Sequence, residues 1–499
     1  LHRMSLSLFD SLPRGLTVDL FAGGGGASSG IEWATGRSPD IAINHDAQAV
    51  SLHKANHPGT KHYVSDVFTV DPIQATRGQP VALLWASPDC THHSKARGAA
   101  PNRDKKRRAL AWVVTRWAGQ VQPSVIMLEN VQEFADWGPL VGPIGNRQPC
   151  PRRKGKTFRQ WVRSLEDLGY EVEWKLLNAA EHGAPTSRVR LFVVARRDGL
   201  PITWPTPTHG PGLKPFRTAA ECIDWTEPMC SIFATKSEAK AWGEANDRHT
   251  PRRPLAEKTL ARIARGIRKY VVENPEPFIV GDQAPVFVPR YGEREGQKPR
   301  ALRVDQPSPV IVPTGNGASL VSAYLARHWG GMTGLGVDQP MPTITTKGSQ
   351  DQPVTVELAQ EPDGRSERVI AFLSKYYGQG TGQGVDEPAH TLTSKERLAL
   401  VTVTVNGEPW VIVDIAMRML TPRELYRCQG FKSDFIIDQG VELDGDEQLG
   451  LSLWNTPTSV PLTKTAQVRM VGNSVPPHLA EALALSNAPA AILRARRTA

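Results

Sequence analysis

Leu16-Thr17-Val18-Asp19-Leu20-Phe21-Ala22-Gly23-Gly24-Gly25-Gly26 is the stretch whose reading decides the fold. An apolar, β-branched run that stops in a glycine cluster predicts a buried strand turning sharply into a helix. Glycines at such a turn admit a ligand close to the backbone and aim the first N–H groups of the helix at it. Two further runs have the same build. Val81 to Ala86 ends in Ser87-Pro88-Asp89-Cys90-Thr91-His92-His93-Ser94, and Val125 to Leu128 ends in Glu129-Asn130-Val131. Short apolar strands with helical crossovers predict a parallel α/β sheet covered on both faces. In such sheets ligands gather at the carboxyl ends of the strands, where these polar residues stand.

The glycine cluster in this setting points to a nucleoside cofactor. Ile41-Ala42-Ile43 leads into Asn44-His45-Asp46, where a polar side chain is placed to reach a ribose hydroxyl. Asp66, after Val64-Ser65, is placed to accept from an adenine amino group; both positions also suit ordinary caps or turns. Cys90 follows a strand end with two histidines close behind, a setting for a thiolate nucleophile and equally for a buried thiol. Glu129, just beyond the next strand, is a candidate general acid. Arg188 and Arg190 are two residues apart on a strand and so share a face.

Length and charge bound the rest. A chain of 499 residues with 40% hydrophobic and 22% charged residues has material for two domains and a sizeable core. The net charge of +9 suits a polyanionic partner. Five cysteines without a C-x-x-C pair speak against a disulfide scaffold or structural zinc and fit a reducing cytoplasm; no metal is expected. No run reaches the ~18 apolar residues of a membrane span. The first residues lack the layout of a signal peptide, and Leu1 followed by Met4 leaves the start codon open.

From about 205 to 415 prolines and glycines become dense and the alternation of helix and strand is lost. Three related segments occur there, Val304–Pro307, Val337–Pro340 and Val385–Pro388, each leading into a Thr-rich or β-branched stretch. Their uneven spacing speaks against a solenoid. One helix shows Leu260, Ile263, Ile267 and Val271 on a face with Lys258, Arg262, Arg265, Arg268 and Lys269 largely elsewhere, which reads as a solvated charged face or as a phosphate-facing one.

In this order the motifs resemble those of the DNA cytosine-5 methyltransferases, over about residues 16 to 200 and 415 to 485. Phe21-Ala22-Gly23-Gly24-Gly25 is similar to the family's cofactor loop, and Cys90 with Ser94 to its nucleophile motif. Glu129-Asn130-Val131 matches the Glu-Asn-Val triplet, and Arg188-x-Arg190 the end of a Gln-x-Arg-x-Arg motif. Pro422-Arg423-Glu424 with Gln429-Gly430-Phe431, and Gly472-Asn473-Ser474-Val475, resemble the two closing motifs.

The resemblance implies a doubly wound, mostly parallel α/β catalytic domain over 15–204, completed by 416–490, with an inserted, irregular β-rich target-recognition region at 205–415. It implies S-adenosylmethionine as cofactor, held by Phe21, Ala22, Gly23, Gly24, Gly25, Asn44, Asp66, Asn473 and Ser474. Cys90 would attack C6 of a cytosine flipped out of duplex DNA, with Glu129 at N3, Arg190 at the carbonyl oxygen and Arg188 supporting the pocket. Ser94, Lys95 and Arg97 open a basic run through Arg108 that would close over the DNA. A monomer, a restriction endonuclease partner and a cytoplasmic, nucleoid-associated location belong to the same expectation. Three positions depart from the family: Asp89 where proline usually precedes the nucleophile, Asn44 for a ribose-binding glutamate, and Thr186 for glutamine. Asp89 would raise the thiol's pKa by like-charge repulsion unless His92 or His93 offsets it. Two alternatives share the motifs. An RNA-directed cytosine-5 methyltransferase is disfavoured by the long recognition region. A catalytically altered DNA-binding relative with an unusual donor is disfavoured by the presence of both Cys90 and Glu129.

Overall fold

The structure is a computed structural model that describes residues 15–89, 108–142, 148–274, 279, 286–289, 302–303, 318–327, 334–344, 351–359, 366, 368–369, 372–373, 402–405, 408–443 and 458–493. The chain divides into two compact units. One is formed by residues 1–217, 340–348 and 425–499, the other by 218–339 and 349–424.

The first unit is built on a seven-stranded sheet. Its strands are β1 (Leu16–Leu20), β2 (Ile41–Asn44), β3 (Lys61–Val64), β4 (Val81–Ala86), β5 (Val125–Asn130), β6 (Glu171–Asn178) and β7 (Val189–Arg196). The spatial order is β3-β2-β1-β4-β5-β7-β6, with β7 antiparallel to both of its neighbours and the rest parallel. The expected mostly parallel doubly wound sheet is therefore present. Its order reverses between β1 and β4, and the crevice outside their carboxyl ends is where this topology binds ligands.

Burial on both faces explains the unbroken apolar runs. In β4, Leu84 and Ala86 join the core under helices α4 (Trp112–Val121) and α5 (Lys156–Glu166), which follow the short α3 (Pro72–Thr76), with Trp117 and Trp161. Leu83 and Trp85 point the other way, into a core with Ile31, Leu479 and Leu483. That second face is covered by α1 (Gly26–Thr35) and by α7 (Pro477–Asn487), which follows α6 (Lys464–Asn473). Gly30 lets α1 and α7 approach closely, since a Cβ there would lie 2.2 Å from the Pro477 carbonyl oxygen and 2.6 Å from Ala480 Cβ. On the β2–β3 side α2 (Ala47–Asn56) packs against both strands, capped by Asp46, whose carboxylate accepts from the N–H groups of Gln48 and Ala49.

The second unit is β-rich. Its antiparallel sheet runs Cys230–Ser231, Glu408–Met417, Asp351–Ala359, Ala318–Arg327, Val286–Pro289, Leu302–Arg303, with Gly334–Gly336 and Thr402–Val405 pairing off the path. Val354, Val356, Leu358, Ile412 and Ile415 meet Ile263, Ile267 and Val271 in its core. The helix read from sequence thus spends its apolar stripe on this sheet, and Arg265 and Lys269 are exposed. Glu424, fully buried, receives a bidentate ion pair from Arg418 at 2.6 and 2.8 Å and the N–H groups of Asp224 and Thr421. Of the three related segments only Val337–Pro340 falls among the described residues; 304–307 and 385–388 lie outside them. Among the described residues no helix is long and apolar enough to cross a membrane.

Candidate active site

Leu20, the last residue of β1, stands beside Ile43 of β2 and Ala86 of β4, and Ala86 beside Leu128 of β5. This register brings the ends of four strands level. Phe21, Asn44, Ser87 and Glu129 therefore emerge along one edge of the sheet, as the sequence predicts.

At the end of β1 the chain turns through Phe21 at φ 63° and Gly23 at φ 55°. Gly25, at φ 103°, is the residue before α1. The glycines differ in what surrounds them. A Cβ on Gly26 would strike Ser474 Oγ, one on Gly25 would lie 3.0 Å from His57 Nε2, and one on Gly24 3.1 Å from Leu52 Cδ2. Among the described residues, a Cβ on Gly23 would meet nothing closer than the Phe21 carbonyl oxygen at 3.9 Å. The loop is packed from below by protein and open above Gly23, beside the N-terminus of a ten-residue helix. That cradle fits a nucleoside cofactor bearing a carboxylate.

Asn44 is half-buried, and its Oδ1 accepts from the Asp46 N–H at 2.9 Å. Asp66 is exposed at the end of β3 and accepts from the Phe68 N–H at 3.0 Å. Ser474 is buried against the loop, and Asn473 is exposed beside it. The two closing motifs touch: the Gln429 amide donates to the Ser474 carbonyl at 2.7 Å. Arg469, one turn before Asn473, pairs with Asp46 and donates to Gln48 Oε1 at 2.9 Å, tying α6 to the end of β2.

The strand β4 leads through Ser87, whose hydroxyl accepts from Trp85 Nε1 at 2.9 Å, to Pro88 and Asp89. Cys90, Ser94, Lys95 and Arg97 lie outside the described residues, with the rest of the basic run up to Arg107. Its last member, Arg108, is described and donates to the Gly138 carbonyl at 2.7 Å. The start of this segment is fixed by a residue that spacing alone passes over. Asn130, 1% exposed, donates from Nδ2 to the Pro88 carbonyl at 3.1 Å, while its Oδ1 accepts from the Val131 N–H. An amide can do both at once, which a carboxylate cannot.

Glu129 and Arg190 come together. Arg190 Nε lies 3.1 Å from Glu129 Oε1, with the two side chains 12% and 10% exposed. Antiparallel pairing of β5 with β7, Glu129 opposite Phe192, delivers them to the same end of the sheet. Arg188 goes elsewhere, with 4% exposure: its Nη1 donates to the carbonyls of Ile344 and Gly472, each at 3.2 Å. It therefore anchors the closing motif. Thr186 is fully buried, in a bridge with Met341, and its hydroxyl has no hydrogen-bond partner among the described residues.

Sequence reasoning missed a polar network behind the glycine loop. Asp19, fully buried on β1, accepts from Ser28 Oγ at 2.7 Å; Ser28 Oγ lies 2.9 Å from His53 Nε2, and His53 Nδ1 2.8 Å from His62 Nε2. Beside it, His57 lies 2.8 Å from Glu32 Oε2 and 3.3 Å from Ser29 Oγ. Burial pushes the Asp19 carboxyl up to about 7, against the opposing effect of the Ser28 hydroxyl. The same desolvation holds His53 well below the ordinary imidazole range and His62 at about 4. The signal available in the sequence was two polar residues on the inner face of α1 and histidines four apart, one in the last turn of α2 and one at its C-cap.

The chain is similar to known proteins along most of its length. It is 27% identical over 231 residues to the type II methyltransferase M.AquIA of Picosynechococcus sp., covering 42% of this chain and 88% of that protein. To the type II methyltransferase M1.HphI of Haemophilus parahaemolyticus it is 27% identical over 294 residues, covering 54% and 72%. Among solved structures, the S. pombe Dnmt2 methyltransferase aligns over 94% of this chain and 96% of its own at 15% identity, with a TM-score of 0.43. The profile of one family matches residues 16–487, which places the chain in the C-5 cytosine-specific DNA methylase family, as a DNA (cytosine-5)-methyltransferase.

Proposed function

We propose that this methyltransferase takes its methyl group from S-adenosylmethionine and delivers it to a cytosine flipped out of duplex DNA, with Cys90 as covalent nucleophile. The observation that carries the reading is the convergence at the end of β5. Glu129 is held by Arg190, and the neighbouring Asn130 is tied to Pro88, two residues before Cys90. Acid, guanidinium and the start of the nucleophile segment thus share one rigid strand end.

The open face above Gly23, with Phe21, Ala22, Gly24 and Gly25 around it, supports a cofactor site, and to the same cofactor we assign Asn44, Asp66, Asn473 and Ser474. S-adenosylmethionine supplies, when bound, an electrophilic methyl group on a sulfonium sulfur. The protein's residues do the remainder. The Cys90 thiolate adds to C6 of the base, and Glu129 places a proton at N3 to neutralise the charge that develops there. Arg190 donates to the carbonyl oxygen while holding Glu129 in line, and Arg188 fixes the wall behind them. After methylation at C5, a solvent base takes the C5 proton, N3 returns its proton to Glu129, the C5–C6 double bond re-forms and Cys90 leaves as the thiolate.

The β-rich unit of residues 218–339 and 349–424 supports a target-recognition role for the region drawn from sequence at 205–415, between catalytic segments 15–204 and 416–490. Ser94, Lys95 and Arg97 then belong to the segment that meets the DNA backbone. M.AquIA and M1.HphI are type II methyltransferases, and we extend to this chain a restriction–modification role with an endonuclease partner, a monomeric state and a cytoplasmic, nucleoid-associated location.

Trapping tests the mechanism. Duplex DNA carrying 5-fluorocytosine and S-adenosylmethionine should give a denaturation-resistant adduct with the wild type and none with Cys90→Ser. An undiminished adduct from Cys90→Ser refutes the assignment. Bisulfite sequencing of DNA from expressing cells reads out the target.

A further inference from the structure

The polar chain behind the glycine loop has a direction. The Ser28 hydroxyl donates to the Asp19 carboxylate, so its oxygen is left to accept, and the donor facing it is His53 Nε2–H. A neutral imidazole protonated on Nε2 carries a bare Nδ1, and that nitrogen must accept from His62 Nε2–H, 2.8 Å away. Every donor from His62 through His53 and Ser28 points toward Asp19. These tautomers are the ones assigned for an ionised Asp19; a protonated Asp19 would donate to Ser28 and reverse every bond in the chain.

The chain also has a mechanical consequence. Asp19 is two residues before Phe21, and Ser28 three residues after Gly25. Their 2.7 Å bond therefore staples together the two ends of the loop, β1 below and the first turn of α1 above. A serine inside a helix otherwise tends to bond back to the carbonyl four residues earlier, which here is Gly24 in the loop itself. By occupying the Ser28 oxygen as an acceptor, His53 leaves the hydroxyl hydrogen directed at Asp19. His53 in turn is fixed by His62 on β3, so the loop is braced from a strand two places away in the sheet. His53 is 1% exposed and lies directly beneath the loop, its Cδ2 3.6 Å from where a Cβ on Gly25 would stand.

We propose that His53 is a positioning residue for the cofactor loop, acting through Ser28 and Asp19 to hold Phe21–Gly25 in the conformation that binds S-adenosylmethionine. The inference rests on the reading of that loop as the cofactor site.

The charged and titratable groups facing His53 are Asp19 on β1, reached through Ser28, His57 on its own helix, and His62 on β3, which itself faces Lys54; Glu32 on α1 lies beyond His57. Above neutral pH Asp19 is ionised, and the donor order just described gives Ser28 and His53 each a donor and an acceptor, while Asp19 Oδ1 has no hydrogen-bond partner among the described residues.

The test is equilibrium binding of S-adenosylmethionine and S-adenosylhomocysteine by calorimetry, beside steady-state kinetics. His53→Ala should raise Kd and KM for the cofactor at least tenfold while kcat at saturating cofactor stays within threefold. His53→Gln, which keeps a donor at the Nε2 position, should recover most of the affinity. Ser28→Ala, which removes the staple and little volume, should match His53→Ala and serves if that variant does not fold. In the wild type at pH 8.5, nitrogen NMR of labelled histidine, assigned by loss of signal in His53→Gln, should show a protonated Nε2 and a bare Nδ1 at residue 53. A wild type that binds neither ligand overturns the cofactor reading and this proposal with it. A wild type that binds, with unchanged affinity in His53→Ala or Ser28→Ala, overturns the proposal alone. So does a protonated Nδ1 at residue 53, or a loss in kcat equal to the loss in affinity that His53→Gln fails to rescue.

Discussion

Arg190 Nε lies 3.1 Å from Glu129 Oε1, and this pair joins the end of β5 to the antiparallel strand beside it. The two residues are sixty-one positions apart in the chain, and only that strand pairing brings them together. A guanidinium held against a carboxylate fixes the direction in which that carboxylate points. Glu129→Gln keeps the shape and an acceptor for Arg190 and removes the acid. Single-turnover methyl transfer should then fall by about 10²–10⁴-fold with DNA affinity preserved. Arg190→Ala should cost activity and also ~1.5–3 kcal/mol of stability, because it leaves a largely buried carboxylate without its partner. An unchanged rate in Glu129→Gln removes Glu129 from the proposed chemistry.

The sequence carried the parts of this site that lie along single strands. Runs such as Val81 to Ala86 are apolar at every position because α4 and α5 cover one face and α1 and α7 the other. The polar residues that follow are therefore conspicuous. The parts that depend on distant pairing were not legible. Nothing local in Asn130 says that it reaches Pro88, forty-two residues earlier, or that Arg188 ends on Gly472, two hundred and eighty-four residues later. Two arginines at i and i+2 read as one facing pair, whereas their side chains take separate partners in the fold. His53 and His62 look like unrelated helix and strand residues until β3 and α2 pack together.

Arg188 is expected to act as an anchor for the closing motif. Its 4% exposure and the two carbonyls on its Nη1 mean that Arg188→Lys keeps the charge but, on a shorter side chain, withdraws the nitrogen from between Ile344 and Gly472. The variant should lose about 2–4 kcal/mol in urea unfolding, since a buried cation is left short of acceptors. Gly472 precedes Asn473-Ser474, and Ser474 abuts Gly26, so cofactor affinity should fall with stability. A variant as stable as the wild type would show that the guanidinium's partners are replaceable.

The contact of α1 with α7 gives a prediction with an internal control. A Cβ at Gly30 would lie 2.2 Å from the Pro477 carbonyl oxygen and 2.7 Å from the Glu481 nitrogen, both backbone atoms that cannot rotate away. At Gly59 a Cβ meets nothing within 4 Å. Gly30→Ala should therefore destabilise by ~1–3 kcal/mol through overpacking. Gly59→Ala should stay within about 0.5 kcal/mol. Equal melting temperatures for the two variants would contradict the close helix approach.

Asp19 makes the stability of the first unit depend on pH in an unusual direction for a carboxylate. Its folded pKa is raised from 3.8 to about 7 by burial, so the native state holds this proton more tightly than the unfolded chain. The associated stability is fully present below 3.8 and is lost as pH rises toward 7, after which it levels off. Raising the carboxyl from 3.8 to about 7 corresponds to ~4 kcal/mol. Asp19→Asn keeps an oxygen to accept from Ser28 and has no proton to lose. Urea unfolding of the wild type and Asp19→Asn between pH 4.5 and 8 should show the variant gaining relative stability up to about pH 7, then running parallel. Glu32 works in the opposite sense, because hydrogen bonding from His57 lowers its pKa, and it titrates identically in both proteins and cancels in the difference. A difference that is flat across the range would mean that Asp19 is ionised throughout and that water or another group pays for its charge.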